Sequence, residues 1–324
     1  MPSLQSLTVV IVDWNLPDYT VRSVKALQAD GVPAGRIVVV ENGPTEENWS
    51  SVTSALPGCV LVRVQQNLGF ARANNIGARV LPGQAYLLVN NDAFVHRPGS
   101  VSALLAALAR SDIGIAVPRL LNADLSLQPS VAPLTTPLPA LVRASGLSRL
   151  APDRWQPRLS THWSHSSSRE VEAATGPVML VDGAVWDALG GLSETSFMYA
   201  EDLDLCWRAQ KRGWKTWFVG EAEFVHLGGT SSDRRWSTQE RAERVGRAEA
   251  EMIRTHLGPL RAGAALGTMR LGLGARVGYF TLTSNEQAAA SCRGSLAGLR
   301  RAHRAVTAPE ELRTPEIEVV RPEG

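Results

Sequence analysis

Three carboxylates stand close together at Glu201, Asp202 and Asp204, in the segment FMYAEDLDLCWRAQKRGW. Acidic residues first and basic residues last are typical of a helix, because this order complements the helix dipole. A helix alone does not account for three acids beside aromatic and apolar residues, shortly after a Gly-Gly turn. Burial and neighbouring charge raise the proton affinity of a carboxylate in such a setting. We therefore expect one acid of this cluster to act as a general base.

A second group of candidate residues follows two predicted strands. His226 ends one strand in the segment FVHLGGTSS, and Asn91 and Asp92 end another in AYLLVNND. One carboxylate and one imidazole, completed by diphosphate oxygens, are sufficient ligands for Mg²⁺ or Mn²⁺. The glycines after His226 permit close backbone approach, and the following hydroxyls offer phosphate contacts. The sequence therefore predicts a divalent-cation site at Asp92 and His226.

The elements that position these residues are predicted from apolar runs. LTVVIV, RIVVVEN, VLVRV and AYLLVNND are typical of strands buried on both faces, and YTVRSVKALQA and FARANNIGARVL have helical spacing between them. This alternation predicts βαβ units in an open, doubly wound α/β sheet, where ligands bind at the carboxyl ends of strands. The polar residues expected to converge there are Asp13, Asn15, Glu41, Asn42, Asn67, Asn90, Asn91 and Asp92.

The second half of the chain is less regular. Proline, serine and leucine dominate residues 118–170, which predicts an irregular insertion that serves as a lid or acceptor loop, with one short helix near Ala140 to Leu150. GPVMLVDGAVWDALGG predicts a strand and then a short helix ended by Gly190 and Gly191. KTWFVGE predicts a further strand before His226.

Composition limits the class of protein. The chain has 324 residues, of which 44% are hydrophobic and 20% charged, as expected for a soluble globular domain with an appendage. The 33 basic and 31 acidic residues nearly cancel, which argues against nucleic acid as a partner. Cys59, Cys206 and Cys292 lack metal-site or disulfide spacing, and no basic region precedes the first apolar run. We expect a cytoplasmic location.

The charge is unevenly distributed along the chain. Residues 1–232 carry a net charge of −2, residues 233–304 carry +7 from thirteen arginines against six acids, and residues 305–324 carry −3. We predict a catalytic domain (1–232, with halves 1–117 and 118–232), a basic helical arm (233–304) and a flexible acidic tail (305–324). Arg261, Arg270 and Arg276 interrupt the arm's apolar run, so it either lies in an anionic membrane interface or packs on the catalytic domain.

Five segments in order resemble the glycosyltransferase family 2 enzymes of the GT-A fold, and most closely their rhamnosyltransferase-like branch, which extends bacterial cell-surface glycans. They are VVIVDWN, IVVVENGPTEEN, QQNLGFARANNIGAR, YLLVNNDAFV and GGLSETSFMYAEDLDLCWRAQKRGWKTWFVGEAEFVHLGG. The resemblance covers roughly residues 7–232. It implies a Rossmann-like, open and mostly parallel sheet with flanking helices, to which the C-terminal helical arm is added.

The resemblance also implies roles for individual residues. Asp202, with Glu201 beside it, matches the general base, and Asp92 and His226 match the metal site, with Mg²⁺ or Mn²⁺ as cofactor. Positions that match the donor-nucleotide pocket are Asp13, Asn15, Glu41, Asn67, Gly69, Phe70, Ala71, Asn74 and Asn91. The chain departs from the family where Asp13 and Trp14 replace a hydroxyl and a tyrosine, where Glu41 replaces the base-reading aspartate, and where Asn90 replaces the first acid of the metal motif.

The implied activity is inverting transfer of a sugar from a nucleoside-diphosphate donor, with dTDP-rhamnose as the leading candidate and UDP-sugars as the alternative. A non-catalytic sugar-nucleotide-binding relative is a second alternative. A nucleotidyltransferase would need a basic, glycine-rich loop after the first strand, which DWNLPDY lacks.

The implied acceptor is a glycan or polyprenyl-linked glycolipid at the inner membrane face, which predicts a peripheral membrane protein. Trp214 and Trp236 are candidate acceptor or membrane contacts, and the sequence leaves a homodimer open.

Overall fold

The computed structural model describes residues 1–145, 163, 165–195, 198–228, 236–301 and 316–322. The strands are β1 (Leu7–Asp13), β2 (Ile37–Asn42), β3 (Val60–Val64), β4 (Ala85–Asn90), β5 (Ala93–Val95), β6 (Ile113–Leu121), β7 (Leu127–Gln128), β8 (Val131–Ala132), β9 (Arg169–Val171), β10 (Ala173–Ala174), β11 (Val178–Asp182), β12 (Lys215–His226) and β13 (Ile317–Val320). The α-helices are α1 (Pro17–Ala29), α2 (Glu46–Ala55), α3 (Phe70–Val80), α4 (Ser100–Ala107), α5 (Pro137–Ser145), α6 (Gly183–Leu189), α7 (Glu201–Lys211), α8 (Thr238–His256), α9 (Pro259–Leu282) and α10 (Glu286–Arg301).

The central sheet has the order β13–β3–β2–β1–β4–β11–β6–β12–β5. Strands β3, β2, β1 and β4 are mutually parallel, as are β6 and β12, whereas β11 lies antiparallel between β4 and β6. The four strands predicted between residues 7 and 92 are β1 to β4, and the two predicted helices are α1 and α3. The predicted open, mostly parallel α/β sheet is therefore confirmed.

Alternation along the central strands divides the core into two layers. Val10, Val38 and Val40 pack with residues of α3, α6 and α7 on one face of the sheet. Val9 and Val39 pack with α1, α2 and α4 on the other. Because successive side chains point to opposite faces, the same alternation decides which polar residues at the strand ends face the functional site.

The insertion is more ordered than its composition predicts. Strands β7 and β8, helix α5 and the start of β9 lie within residues 118–170. The helix predicted near Ala140 to Leu150 begins earlier, at Pro137, because proline is tolerated in the first turn of a helix, where its missing N–H has no partner to lose. Residues 146–150 of that prediction lie outside the described residues.

The predicted arm contains α8, α9 and α10. Helices α8 and α10 pack very closely, since a Cβ atom at Gly298 would meet the carbonyl oxygen of Glu243. The end of α8 is fastened to α7, where His256 Nε2 lies 2.7 Å from Asp204 Oδ1 and the His256 ring stacks on Trp207 at 4.6 Å between centroids. The arm was predicted either to lie in a membrane interface or to pack on residues 1–232. Helix α8 packs on residues 1–232.

The prediction of a flexible tail is wrong for Ile317–Val320, which form β13 and pair antiparallel with β3. The edge of β3 offers unpaired backbone groups, and the IEVV sequence has the β propensity to use them. Arg321 also donates to the carbonyl oxygen of Val80 at 3.3 Å. Residues 302–315 and 323–324 lie outside the described residues.

Two further predictions concern the thiols and the membrane. All three cysteines are free thiols, and Cys59 and Cys206 are buried. Within the described ranges, none of the helices combines the length and the hydropathy that a bilayer span requires.

Candidate active site

A cavity of about 490 Å³ opens at the carboxyl ends of β1, β2, β4 and β12. This volume is in the range of small-molecule binding sites. The predicted site residues that line it are Asn67, Gly69, Phe70, Asn91, Asp92, Glu201, Asp202 and His226. Residues from both halves of the chain therefore meet in one cavity, at the position predicted for a doubly wound sheet.

Strand alternation excludes Asp13 from the cavity lining. Val12 and Trp14 line the cavity, whereas Asp13 between them points to the opposite face and is fully buried. Its Oδ1 accepts hydrogen bonds from Thr20 Oγ1 at 2.6 Å and from Asn91 Nδ2 at 2.5 Å. Asp13 therefore supports a cavity residue, Asn91.

Glu41, the predicted base-reading residue, follows the same alternation. Asn42 lines the cavity, whereas Glu41 is fully buried opposite Asp13 in the β1–β2 register. Neither Glu41 carboxylate oxygen accepts a hydrogen bond. Burial, followed by the charge of Asp13, raises the pKa of Glu41 to about 9. Glu41 is therefore a neutral acid at neutral pH and lies behind the cavity wall.

This neutral acid predicts a pH-dependent stability. The pKa of Glu41 rises from 4.5 to about 9 on folding, so its contribution to stability is fully present below 4.5 and is lost as pH rises through about 9. The Glu41→Gln variant removes this titration but keeps a donor for Asp13. We expect its free energy of unfolding, measured by denaturant titration, to gain at least about 1 kcal/mol relative to wild type between about pH 5 and pH 8.

Glu47→Gln, the same change at an exposed position of α2, is the matched control and should leave the pH dependence unchanged. Parallel pH curves for wild type and Glu41→Gln would show that Glu41 is ionised in the folded protein.

Three other predicted nucleotide-binding residues also lie off the cavity lining. Asn15 Oδ1 accepts from Asn48 Nδ2 at 2.7 Å, which ties the end of β1 to α2. Ala71 and Asn74 are buried in α3, and Asn74 Nδ2 donates to the carbonyl oxygen of Phe70. These positions shape the elements around the cavity, and neighbouring residues such as Trp14 and Phe70 line it.

The loop before α3 is built by Asn42 and Asn67. Asn67 Oδ1 accepts from Asn42 Nδ2 at 3.1 Å and from the N–H of Gly69 at 3.0 Å, and Asn42 Oδ1 accepts from the N–H of Leu68 at 2.9 Å. Gly69 has φ +86°, a conformation that glycine adopts at little cost. The loop thereby places Phe70 at the cavity wall.

The predicted metal site is brought together by the sheet. Asp92 Oδ1 lies 3.3 Å from His226 Nε2. On the other side of the ring, Gln128 Oε1 lies 2.7 Å from His226 Nδ1, and Gln128 Nε2 donates to the carbonyl oxygen of His226 and to Asn122 Oδ1. Because both acceptors fix the amide orientation, Nδ1 carries a proton, and Nε2 is the ring nitrogen that faces Asp92.

An imidazole and a carboxylate in this arrangement fit a divalent cation. Among the residues that the structure describes, no group of three His, Cys, Asp or Glu side chains could hold a metal, so further ligands would have to come from a diphosphate. Gln128 was not predicted, because it lies in the irregular insertion and nothing in its spacing marks it. Gly229 and the hydroxyls at 230–232, predicted phosphate contacts, lie outside the described residues.

The acidic pair at the start of α7 follows two residues with an unusual backbone conformation. Tyr199 and Ala200, directly before the helix, have φ of +79° and +68°, which costs energy for residues other than glycine. This turn directs Glu201 and Asp202 into the cavity. Asp202 Oδ2 accepts from the N–H of Gly176 at 2.7 Å, and Oδ1 accepts from the N–H of Leu203 at 2.7 Å.

The two acids have different electrostatic environments. Burial, and then the charge of Asp202, raises the pKa of Glu201 to about 8, and its Oε2 has no hydrogen-bond partner. Burial also raises the pKa of Asp202, but its two backbone N–H bonds oppose the shift by stabilising the carboxylate. Both carboxyl groups therefore hold a proton more tightly than usual, and the two backbone N–H bonds favour the ionised form at Asp202 rather than at Glu201.

The third acid of the cluster has a structural role. Asp204 lies outside the cavity lining, and its Oδ2 accepts from Arg208 at 2.6 Å while its Oδ1 contacts His256. Burial alone would raise the pKa of Asp204, but the His256 and Arg208 contacts outweigh it and lower the pKa. Asp204 therefore links α7 to α8, the first helix of the arm, through its contact with His256.

The arm contributes to the cavity through Trp236, Arg241 and Val245. Of the two tryptophans predicted as acceptor or membrane contacts, only Trp236 lines the cavity. Trp214 packs in the core, where a Cβ at Gly114 would lie 2.9 Å from the Trp214 Cβ.

Comparison with known sequences identifies the family of the chain. Residues 5–248 match the family described as glycosyltransferase like family 2. The chain is 27% identical over 235 residues to the N-acetylglucosaminyl-diphospho-decaprenol L-rhamnosyltransferase of Mycobacterium tuberculosis, with 68% of this chain and 75% of that protein covered. It is 24% identical over 214 residues to the low-salt glycan biosynthesis hexosyltransferase Agl10 of Haloferax volcanii, with 64% and 62% covered.

Solved structures show a similar fold. The mannosyltransferase PcManGT from Pyrobaculum calidifontis, in complex with GDP-Man and Mn²⁺, gives a TM-score of 0.56 at 15% identity over 94% of this chain and 88% of that one. Residues 1–349 of S. aureus TarS give a TM-score of 0.51 at 12% identity over 92% of both chains. The predicted GT-A fold is confirmed, and the chain belongs to the glycosyltransferase-like family 2.

Proposed function

We propose that this glycosyltransferase moves a sugar from a nucleoside diphosphate to a hydroxyl of a lipid-linked glycan, with inversion at the anomeric carbon. The observation that carries the proposal is the position of Asp202. Its carboxylate lines the same cavity as the Asp92–His226 pair and is fixed by two backbone N–H groups. A general base and a phosphate-binding position are the two groups that this displacement needs.

The protein's own residues perform the proton transfer. The Asp202 carboxylate accepts the proton of the acceptor hydroxyl as its oxygen bonds to the anomeric carbon, and the bond from that carbon to the diphosphate oxygen breaks. Asp92 and His226 Nε2 would hold the divalent cation, and Gln128 keeps the ring in the tautomer that this requires. When bound, Mg²⁺ or Mn²⁺ neutralises charge on the leaving diphosphate.

Inversion is favoured by the number of ionised carboxylates. A double displacement needs a separate nucleophile. The described carboxylates of the cavity lining are Asp92, Glu201 and Asp202. Asp92 faces His226, and the two backbone N–H bonds favour the ionised form at Asp202 rather than at Glu201. Asp202 is therefore left as the base of a single displacement.

Trp14, Asn42, Asn67 and Phe70 line the cavity beside the strand ends, and we propose that they form the donor pocket. We propose dTDP-rhamnose as the donor, because the relative from Mycobacterium tuberculosis is a rhamnosyltransferase. UDP-sugars are the alternative, and a non-catalytic relative is disfavoured by the intact Asp202 environment.

The donor experiment compares thermal unfolding of the full chain with dTDP, UDP or GDP, with and without MnCl₂. We expect the largest Mn²⁺-dependent rise in Tm with dTDP, and acceptor-dependent release of dTDP from dTDP-rhamnose. A larger effect of UDP would favour the alternative donor, and binding without release would favour the non-catalytic relative. No response to any nucleotide would contradict the transferase.

We further propose that the enzyme is peripheral to the inner face of the membrane through α9. Leu260, Leu271 and Leu282 are 90%, 78% and 88% exposed on this helix, and α5, which packs on α9, exposes Leu138 and Leu141. Residues 259–282 contain three arginines and no acid. An apolar surface with basic residues suits an anionic membrane interface.

The membrane proposal predicts a large effect of two substitutions. Changing Leu271 and Leu282 together to Glu should weaken sedimentation with phosphatidylglycerol vesicles about 100-fold, because each leucine contributes roughly 1.5 kcal/mol or more when buried. Leu125→Glu, the same change in an exposed turn of the catalytic domain, should have no effect. Equal sedimentation of the double variant and wild type would exclude α9 as the membrane contact.

A further inference from the structure

The arm's first helix completes the cavity. Trp236 stands directly before the N-cap of α8, and Arg241 and Val245 lie one turn apart on that helix. Hydrogen bonds stabilise both ends of this helix. The Ser237–Glu240 capping box holds its first turn, and the His256–Asp204 contact holds its last. The arm therefore presents these side chains to the cavity from a rigid element.

The aromatic part of this surface adjoins the catalytic turn. The rings of Trp236 and Tyr199 lie 6.1 Å apart, and the Arg244 guanidinium lies 4.5 Å above the Trp236 ring. Tyr199 belongs to the left-handed turn that directs Asp202 into the cavity. Because the acceptor hydroxyl must reach Asp202, aromatic rings at this turn are placed to pack on the apolar face of the acceptor sugar.

The positive charge that α8 brings to the cavity indicates which group is attached to the acceptor sugar. Arg241 is the one lysine or arginine among the described residues that line the cavity. A guanidinium matches phosphate oxygens in geometry and charge. The donor diphosphate has its proposed position beside the cation at Asp92 and His226, near the ends of β4 and β12. Arg241 comes instead from α8, the helix whose N-terminal aromatic residue contacts the Tyr199 turn.

We propose that Trp236 and Arg241 form the acceptor subsite, and that it takes a sugar joined to its lipid through a diphosphate. Trp236 packs on the acceptor sugar and Arg241 binds the diphosphate attached to it. This inference rests on the proposed transferase function and adds two specificity-determining residues to it.

Calorimetry on the full chain with dTDP and Mn²⁺ tests the subsite. The two probes are N-acetylglucosamine linked to farnesol through a diphosphate, and the corresponding farnesyl glycoside without phosphate. We expect wild type to bind the diphosphate compound at least about tenfold more tightly. Arg241→Gln should abolish this preference and leave the affinities for the glycoside and for dTDP unchanged, and Arg241→Lys should keep part of it. Trp236→Ala should weaken both probes.

Arg247→Gln is the matched control, because Arg247 lies on the same helix and pairs with Glu251 at 3.0 Å. It should leave the preference intact. Equal binding of both probes by wild type, or binding of neither while dTDP still binds, would overturn the acceptor subsite and leave the transferase standing. Loss of dTDP affinity in Arg241→Gln with an unchanged preference would place Arg241 on the donor instead. Absence of dTDP binding and of transfer by wild type would be a failure of the proposed function itself.

Discussion

Asp202→Asn is expected to lower kcat by about 10³-fold while the affinity for dTDP stays within about twofold of wild type, since general base catalysis contributes roughly 10²–10⁴-fold. The amide keeps an oxygen for the N–H of Gly176 or Leu203, so the start of α7 keeps its position. It cannot accept the proton of the acceptor hydroxyl. Release of dTDP from the sugar donor, with and without acceptor, measures the effect.

Two variants separate this chemistry from packing. Glu201→Gln replaces an acid of raised pKa by a neutral amide, so we expect kcat within about tenfold of wild type, a far smaller effect than removal of the base. Asp187→Asn makes the same change as Asp202→Asn at an exposed position of α6 and should have no effect. Full turnover by Asp202→Asn with normal dTDP binding would rule out Asp202 as the base.

Asp92→Asn is expected to abolish the Mn²⁺-dependent rise in Tm with dTDP and to lower kcat/KM about 10²- to 10³-fold, because a bound cation contributes several kcal/mol of charge stabilisation. Asp92 Oδ1 lies 3.3 Å from His226 Nε2. The substitution removes the negative charge and leaves the loop in place, since the backbone carbonyl of Asp92 still accepts from the N–H of Leu227.

Gln128→Leu provides a graded comparison for the same site. It removes the acceptor for His226 Nδ1 without changing either proposed ligand, and loss of such a partner typically weakens metal affinity 10- to 100-fold. Asp124→Asn, in the exposed turn before β7, is the matched control for charge. A wild-type Mn²⁺ response in Asp92→Asn would show that the cation is held elsewhere or is not needed.

The strands of the nucleotide-binding half were predictable because their apolar runs are unbroken and their order is local. The convergence of their polar ends was predictable as well, since parallel strands end at one edge. The prediction treated all polar residues at the carboxyl ends of these strands as facing the cavity, although successive side chains face opposite sides of the sheet. Counting alternation from the buried valines would have assigned Trp14 and Asn42 to the cavity and Asp13 and Glu41 to the opposite face.

Long-range contacts were not predictable from the sequence. Gln128 and His226 are 98 residues apart in the chain. They meet because β6 pairs with both β7, which contains Gln128, and β12, which ends at His226. Trp236 and Arg241 line the cavity because the arm folds back and its first helix contacts Asp204. The sequence does not show that Asp204, and not Asp202, makes this contact. The β13 strand required an edge that only the assembled sheet presents.

By itself, the sequence determined the sheet, the acidic pair and the Asp92–His226 site, because residue type and local periodicity encode these features. Only the tertiary structure decided the separate roles of the acids. Burial raises the pKa of Glu201, backbone N–H groups stabilise the Asp202 carboxylate, and Asp204 is committed to Arg208 and His256. Three carboxylates within four residues differ in pKa and in hydrogen-bond partners because the fold gives each of them a different environment.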